Sequence, residues 1–291
     1  MKKIISILMI FSLMLSCTVM ASAAEINSYN NIRATMISYG MPEEIVNSLP
    51  NEEIVKYSNI GQDSVTKHYY KFTEAEADSN VYRSANAPAY TVEEITEAEC
   101  MAALATLDAA QPRGTIKESY MATTINATPL GGRRYLMSAT YDWLSTPWFR
   151  LTDYFALTIH DCMVLVPDTE YTLEQNDYVS IYTGGNINTN SWDDSLYASG
   201  VGGHCMAMHW LESDDYYTYF NFRGYMSFEA EIAEVGSNGI VNFAAYITYA
   251  HQTLVPSIGL SVSLPKSVSA SITPTISFDY LTDQENWTHI E

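Results

Sequence analysis

Positive charge is what this sequence has least of. Its 291 residues carry 34 Asp and Glu against 14 Lys and Arg, a formal net charge of −20. From Ser119 onward the cations are Arg133, Arg134, Arg150, Arg223 and Lys266 and no others. Nucleic acid and anionic lipid are both bound through clustered Lys and Arg, so the charge balance argues against either partner. Cysteine is scarce as well, at four, and no CxxC pair or paired Cys–His spacing points to zinc. No apolar run approaches the ~20 residues that cross a bilayer as a helix, so the mature chain is expected to lack a transmembrane helix. The acidic clusters lack the DxDxDG spacing of a calcium loop. No catalytic signature and no cofactor motif is legible, and the chain leans towards a non-enzymatic role.

The first residues read as an address. Lys2 and Lys3 precede the apolar run Ile4 to Leu15, and Ala21-Ser22-Ala23 offers an A-x-A cleavage site. Residues 1–24 are therefore expected to be a signal peptide, and the mature chain to be secreted and extracellular. A lipid anchor on Cys17 is the alternative, though Met14-Leu15-Ser16 fits a lipobox poorly. Removing Lys2 and Lys3 with the leader takes the net charge from −20 to −22. Cys100, Cys162 and Cys205 remain. A Cys162–Cys205 disulfide and three buried free thiols are equally compatible with the pattern.

Three regions follow. Residues 25–62 read as short helices: Pro42-Glu43-Glu44 and Pro50-Asn51-Glu52-Glu53 each place proline and acids at a helix start. Residues 63–114 are an acidic linker or mixed segment, with a strand near His68 and a helix over Thr91 to Leu107. Residues 115–291 alternate at period two, with turn signals every 8 to 12 residues and no βαβ rhythm. That pattern predicts an antiparallel β-sandwich, with a barrel as the alternative. Thr183 to Gly200 reads as a long polar loop, and Ser237-Asn238-Gly239 as a tight hairpin. Ser257 to Thr273 forms a small Ser/Thr-rich hairpin.

The stretch from Tyr216 to Ile232 alternates most clearly. Phe220, Phe222, Met226, Phe228 and Ile232 fall on a dry face. Tyr217, Tyr219, Asn221, Arg223 and Tyr225 fall on a wet one. Exposed aromatics beside amides and charge suit sugar stacking or protein contact, so these five are the candidate binding residues. Burial of that face by the N-terminal helices is the competing reading.

Several short motifs resemble a loosely defined group of secreted, β-rich proteins of Gram-positive bacteria. They are Tyr141-Asp142-Trp143 with Pro147 and Leu151-Thr152-Asp153, Gly200-Val201-Gly202, Tyr249-Ala250-His251 and Ser271-Ile272-Thr273-Pro274. The leader from Gly40-Met41-Pro42-Glu43-Glu44 to Leu49-Pro50 belongs with them. The resemblance implies secretion and a β-rich fold, and carries over no activity or catalytic residue.

Three functions compete. A non-catalytic extracellular recognition or surface-associated protein, with an unidentified glycan, cell-wall or protein partner, leads. A secreted hydrolase would draw on His204, His251 and Cys205 or a carboxylate. It meets the difficulty that strand neighbours point to opposite faces, which separates His204 from Cys205. A pore-forming or bacteriocin-like protein would use the Ser257 to Thr273 hairpin. Glu212, Asp214 and Asp215 are weak metal candidates on one turn, better read as a solvated acidic turn.

Overall fold

Alternating stretches become strands in the computed structural model, and all their pairings are antiparallel. It describes residues 27–74, 90–107, 118–147 and 153–290, apart from 194–195, 201, 209–210, 212, 234, 236–238, 253–260, 264–270 and 274–277. The expected signal peptide and Cys17 lie outside these residues.

Helices α1 (27–38), α2 (Glu43–Ser48) and α3 (Asn51–Lys56) come first. Then come β1 (Val65–Glu74), β2 (Tyr90–Ile95), α4 (Glu97–Leu107), β3 (Glu118–Gly131) and β4 (Arg134–Trp143). The chain continues through β5 (Asp153–Ile159), β6 (Met163–Leu165), β7 (Tyr171–Ser180), β8 (Ile187–Trp192), β9 (Leu196–Gly200) and β10 (Gly203–Ala207). It ends with β11 (Tyr217–Ile232), β12 (Ile240–Gln252), β13 (Ser261–Ser263), β14 (Ser271–Thr273) and β15 (Phe278–Ile290). One sheet runs β2-β1-β3-β4-β11-β7-β8, with β6 also pairing on β11; a second runs β15-β12-β5-β10-β9. Neither closes on itself, so the fold is the expected sandwich and not the barrel.

The sheets meet through interleaved aromatic rings. Phe72 and Trp143 of the first sheet lie 4.9 Å apart and 5.7 and 5.9 Å, respectively, from Tyr249 of the second, and Tyr141 meets Phe155 at 5.2 Å. Each such ring removed from water stabilises the fold by about 1.5–3 kcal/mol. Gly224 stands opposite Tyr141, whose ring occupies the space that a Cβ would fill, 2.3 Å away. The outer face of the first sheet is buried too. Met36, Ile45, Val46, Leu49, Ile54 and Tyr57 of the N-terminal helices pack there with Leu136, Leu173 and Tyr225. These helices have no core of their own; the sheet completes it.

In the segment read as an acidic linker or mixed segment, the strand expected near His68 is β1, and the stretch expected as a helix from Thr91 divides into β2 and α4. β1 lies inside the first sheet between β2 and β3, and α4 seats the buried Cys100 against Tyr69 and Tyr120. Part of the expected loop after Thr183 is also strand: β8 and β9 occupy opposite sheets. The hairpin expected at Asn238-Gly239 does not form. Ser237 and Asn238 lie outside the described residues, but β11 and β12, which the turn would join as a hairpin, belong to different sheets and do not pair. The same holds for the acidic turn between β10 and β11. The small C-terminal hairpin is present as β13 and β14, with Val262 opposite Ile272.

One polar cluster ties the layers at their margin. His68 of β1 places Nδ1 2.9 Å from Glu94 Oε1, and Nε2 3.1 Å from both Asp283 Oδ2 and Glu285 Oε1 on β15. Tyr70 Oη donates to the same Asp283 at 2.7 Å. Burial disfavours the charged ring, but the hydrogen bond to Glu94 and the charges of Asp283 and Glu285 outweigh it, raising the pKa above 6.5. A pKa raised by folding stabilises fully below the unfolded value and loses that contribution as pH rises through the folded value. Thermal unfolding of the wild type should therefore show a decline above pH 6.5 that His68→Gln lacks; parallel profiles would show that the ring does not clasp the layers.

Candidate functional site

The wet face predicted for β11 depends on an unbroken alternation, and the strand breaks it. β11 pairs with β7 from Tyr217 opposite Ser180 to Phe220 opposite Asp177, then resumes at Arg223 opposite Gln175. Asn221 and Phe222 thus share one partner position, Asn176, and form a bulge. Asn221 takes φ +52°, a left-handed conformation that Asn adopts more readily than most residues. An extra residue reverses which side chains share a face. Beyond the bulge, Phe222, Met226 and Phe228 enter the core between the sheets, while Arg223, Tyr225 and Ser227 turn towards the helices. Before it, the phase inverts: Tyr219 packs at the margin of the inter-sheet core.

The five candidate binding residues are therefore split. Tyr225 is fully buried, correcting its assignment to a wet face. Its Oη lies 2.8 Å from Tyr57 Oη and donates to Glu53 Oε2 at 3.3 Å, and Ser227 donates to the same carboxylate oxygen at 3.0 Å. Lys56 completes that cluster by pairing with Glu53. Arg223 is also buried, donating through Nη1 and Nη2 to the two oxygens of Asp177 at 3.1 and 3.0 Å, and through Nε to Gln175. Asn221 donates to Asp177 as well. Burial pushes the Asp177 carboxyl up, but the Arg223, Asn221 and Thr189 hydrogen bonds prevail and hold it below the usual value. Arg223→Ala would leave a poorly solvated carboxylate without its cation. A loss of about 3–5 kcal/mol in urea unfolding is expected, and a change below 1 kcal/mol would contradict this role.

Asn221 is exposed, and Tyr217 and Tyr219 are half-buried at the surface on the opposite face from the one expected, where they join others. Ring centroids run from Tyr182 to Tyr216 at 5.8 Å, from Tyr182 to Tyr217 at 6.3 Å and from Tyr217 to Tyr219 at 6.0 Å. Tyr178 lies 6.0 and 5.9 Å from Tyr217 and Tyr219. The five tyrosines form one chain of rings at the end of β7 and the start of β11. Gly184 and Gly185, with φ of +65° and +86°, allow the β7–β8 connection to turn sharply. Ile181 (65% exposed), Tyr182 (71%), Ile187 (66%) and Tyr216 (50%) project beside it. A cleft of about 450 Å³ opens here, lined by Val179, Ser180, Ile181, Gly184, Gly185 and the run 214–218. Sequence reasoning missed Tyr178, Tyr182 and Ile181 because each is unremarkable in its own strand or turn. It assigned Tyr216 to the dry face. The Tyr182-Thr183-Gly184-Gly185 run, an aromatic before a glycine turn, was the available signal.

The acidic turn has a local task. Asp214 Oδ1 accepts from the backbone N–H groups of Tyr216 and Tyr217, both at 2.7 Å, and so orients the two rings. Asp215 is exposed, and Glu212 lies outside the described residues. Among the described residues, no group of three or more His, Cys, Asp or Glu is arranged to hold a metal ion.

Of the hydrolase candidates, His204 and Cys205 do not converge. His204 points into the core, 5.3 Å from the Phe228 ring, with neither ring nitrogen hydrogen-bonded to the protein. Burial pushes its pKa down to about 4, against the pull of Glu170. Cys205 follows it on the strand and so faces the other way; its Sγ lies 3.7 Å from the Met206 carbonyl, and burial pushes the thiol up to about 12. His251 stands opposite Asp153 and Asp279 in the ladder, and its side chain lies outside the described set. Cys100, Cys162 and Cys205 are free, so the Cys162–Cys205 disulfide is not formed. His160 and Cys162 do meet in the turn after β5, with Nδ1 3.3 Å from Sγ. Burial and Asp161 raise the Cys162 pKa, which keeps the thiol protonated.

The buried His204 has a measurable cost. Its folded pKa lies below the unfolded 6.5, so the unfolded chain takes the proton first and stability falls as pH drops from 6.5 towards 4. The full decline is about 3 kcal/mol. His204→Leu should flatten the wild-type decline in unfolding free energy across that window, and an unchanged slope would show that another group is responsible.

No known protein-family model and no curated protein matches the chain. Among solved structures, the C-terminal domain of the antigen I/II-family protein AspA from Streptococcus pyogenes is similar over 64% of this chain and 80% of its own, at 11% identity and a TM-score of 0.25. The full-length major pilin SpaD from Corynebacterium diphtheriae is similar over 62% of this chain and 56% of its own, at 11% identity and a TM-score of 0.15. At these scores neither comparison bears on fold or ligand. No helix among the described residues is long and apolar enough to cross a membrane.

Proposed function

We propose that this is an extracellular, surface-associated recognition protein, without a catalytic role, whose binding surface is the tyrosine tip. One observation carries the reading. Four of the most exposed large apolar side chains, Ile181, Tyr182, Ile187 and Tyr216, crowd one end of the first sheet beside a cleft and a chain of tyrosine rings. Apolar groups gathered at one surface point, next to polar groups, mark contact sites more often than the same groups scattered singly. Tyrosine suits this use, because it offers a large contact area with few rotatable bonds and a hydroxyl at its rim. The Lys2-Lys3 leader with its A-x-A site supports an extracellular location. The separation of His204 from Cys205, together with the protonated Cys205 thiol, counts against the hydrolase alternative.

The test is a binding screen of the chain against glycans, cell-wall fractions and extracellular proteins, repeated with Tyr217→Ala and Tyr219→Ala. Each substitution should weaken binding about tenfold or more while circular dichroism stays unchanged, since truncating an aromatic anchor costs roughly 1–4 kcal/mol. Binding that survives both substitutions intact would move the recognition surface elsewhere.

A further inference from the structure

We infer that the tyrosine tip takes a cationic, extended peptide segment, bound as an added strand along β8 with Lys or Arg side chains seated against the rings. This inference rests on reading the tip as the recognition surface, and three features of that surface point to the ligand. The first is charge. No Lys, Arg or His lines the cleft, which carries Asp214 and Asp215, and the chain as a whole stands at −20. Such a field draws cations in and repels anions. It also disfavours a second copy of the chain, which would bring the same acidic cleft and the same net charge.

The second feature is the rings. The negative face of a tyrosine ring attracts an ammonium or guanidinium group placed over it. Tyr182 and Tyr216 lie nearly parallel, 11° apart, and both are at least half exposed. Asp214 is already engaged by the backbone of the turn, whereas Asp215 is exposed beside the rings and free to meet a positive group.

The third feature selects a peptide over a sugar. β8 ends the first sheet, and among the described residues no strand pairs with its outer edge. Edge strands are commonly guarded by charge or proline against pairing with other chains. β8, Ile187-Asn188-Thr189-Asn190-Ser191-Trp192, has neither. By contrast the opposite edge, β2, carries Glu93 and Glu94. An unguarded edge supplies backbone hydrogen bonds to an extended segment, and adjacent pockets read its alternate side chains. The Val179–Ile187 register places the start of β8 beside Val179, which lines the cleft.

The experiment measures binding of the octapeptides (Thr-Arg)4, (Thr-Gln)4 and (Thr-Glu)4, and of neutral glycans, to the full chain and to Tyr182→Ala, Tyr216→Ala and Asp215→Asn. Hydrogen–deuterium exchange is read over residues 187–192. The expected result is binding of (Thr-Arg)4 about tenfold tighter than either other peptide, weakened about tenfold in each tyrosine variant. Amides of β8 should slow their exchange when it is bound. Equal affinity of (Thr-Arg)4 for all variants would mean attraction to bulk charge alone and would overturn the inference. Tyrosine-dependent binding of a glycan or of (Thr-Gln)4 in its place would overturn it while leaving the recognition reading intact. If no probe's binding responds to the tyrosine substitutions, both fall.

Discussion

A single inserted residue in β11 sets the arrangement of everything around it. The strand is paired on both edges, with β4 and β7, and packed on both faces, so its phase cannot drift once one end is fixed. Beyond the bulge, Phe222, Met226 and Phe228 must fill the space between the sheets, which sends Arg223 and Tyr225 outward under the N-terminal helices. Before it, the inverted phase sends Tyr217 and Tyr219 to the other side, where the rings of β7 and the glycine turn meet them. Without the extra position, one face would carry all four polar and aromatic groups. With it, the strand divides them between a buried polar joint and a surface cluster.

The abundance of tyrosine acquires a second explanation beside the tip. A chain with so few cations must still find donors for its carboxylates, Glu53 and Asp153 being buried ones. Phenols do this repeatedly: Tyr69 donates to Glu97, Tyr70 to Asp283, Tyr120 to Glu118, Tyr225 to Glu53 and Tyr249 to Asp153. A neutral donor avoids the desolvation cost of burying an ammonium group while still satisfying the acceptor. Asp177, by contrast, receives a buried guanidinium. The two histidines show how far surroundings decide the charge of one residue type. His68 is raised by its ring of carboxylates, and His204 is lowered by a core that offers it no partner.

Much of this architecture was legible in the sequence. Period-two alternation in residues 115–291 gave the antiparallel sandwich, and the proline–acid pairs at Pro42 and Pro50 located α2 and α3. The strand pairing was less legible, because alternation identifies a strand but not its neighbour. Asn238-Gly239 has hairpin chemistry, yet the strands on either side are claimed by β5, β15, β4 and β7. β8 was missed because an edge strand of Asn, Thr and Ser has no dry face to reveal it. The site was half legible. Tyr217 and Tyr219 stood out, whereas Tyr178, Tyr182 and Tyr216 join them only through folding. The one hint of the bulge was Asn221, an amide in a run of aromatic and apolar residues.

The division of β10, β11 and β12 between the two layers has a consequence for assembly. Strands adjacent in sequence, such as β4 and β5 or β11 and β12, belong to opposite layers, and β1 meets β15 across some two hundred residues of chain. No contiguous segment can complete either sheet by itself, so a half-built layer would present bare hydrophobic surface and open edges. Topologies dominated by such distant contacts pay their loop-closure entropy before the rewarding contacts form, and they fold slowly. The polypeptide must therefore spend a long interval without native structure, and agents that shield its exposed strands during that interval govern the yield of folded protein.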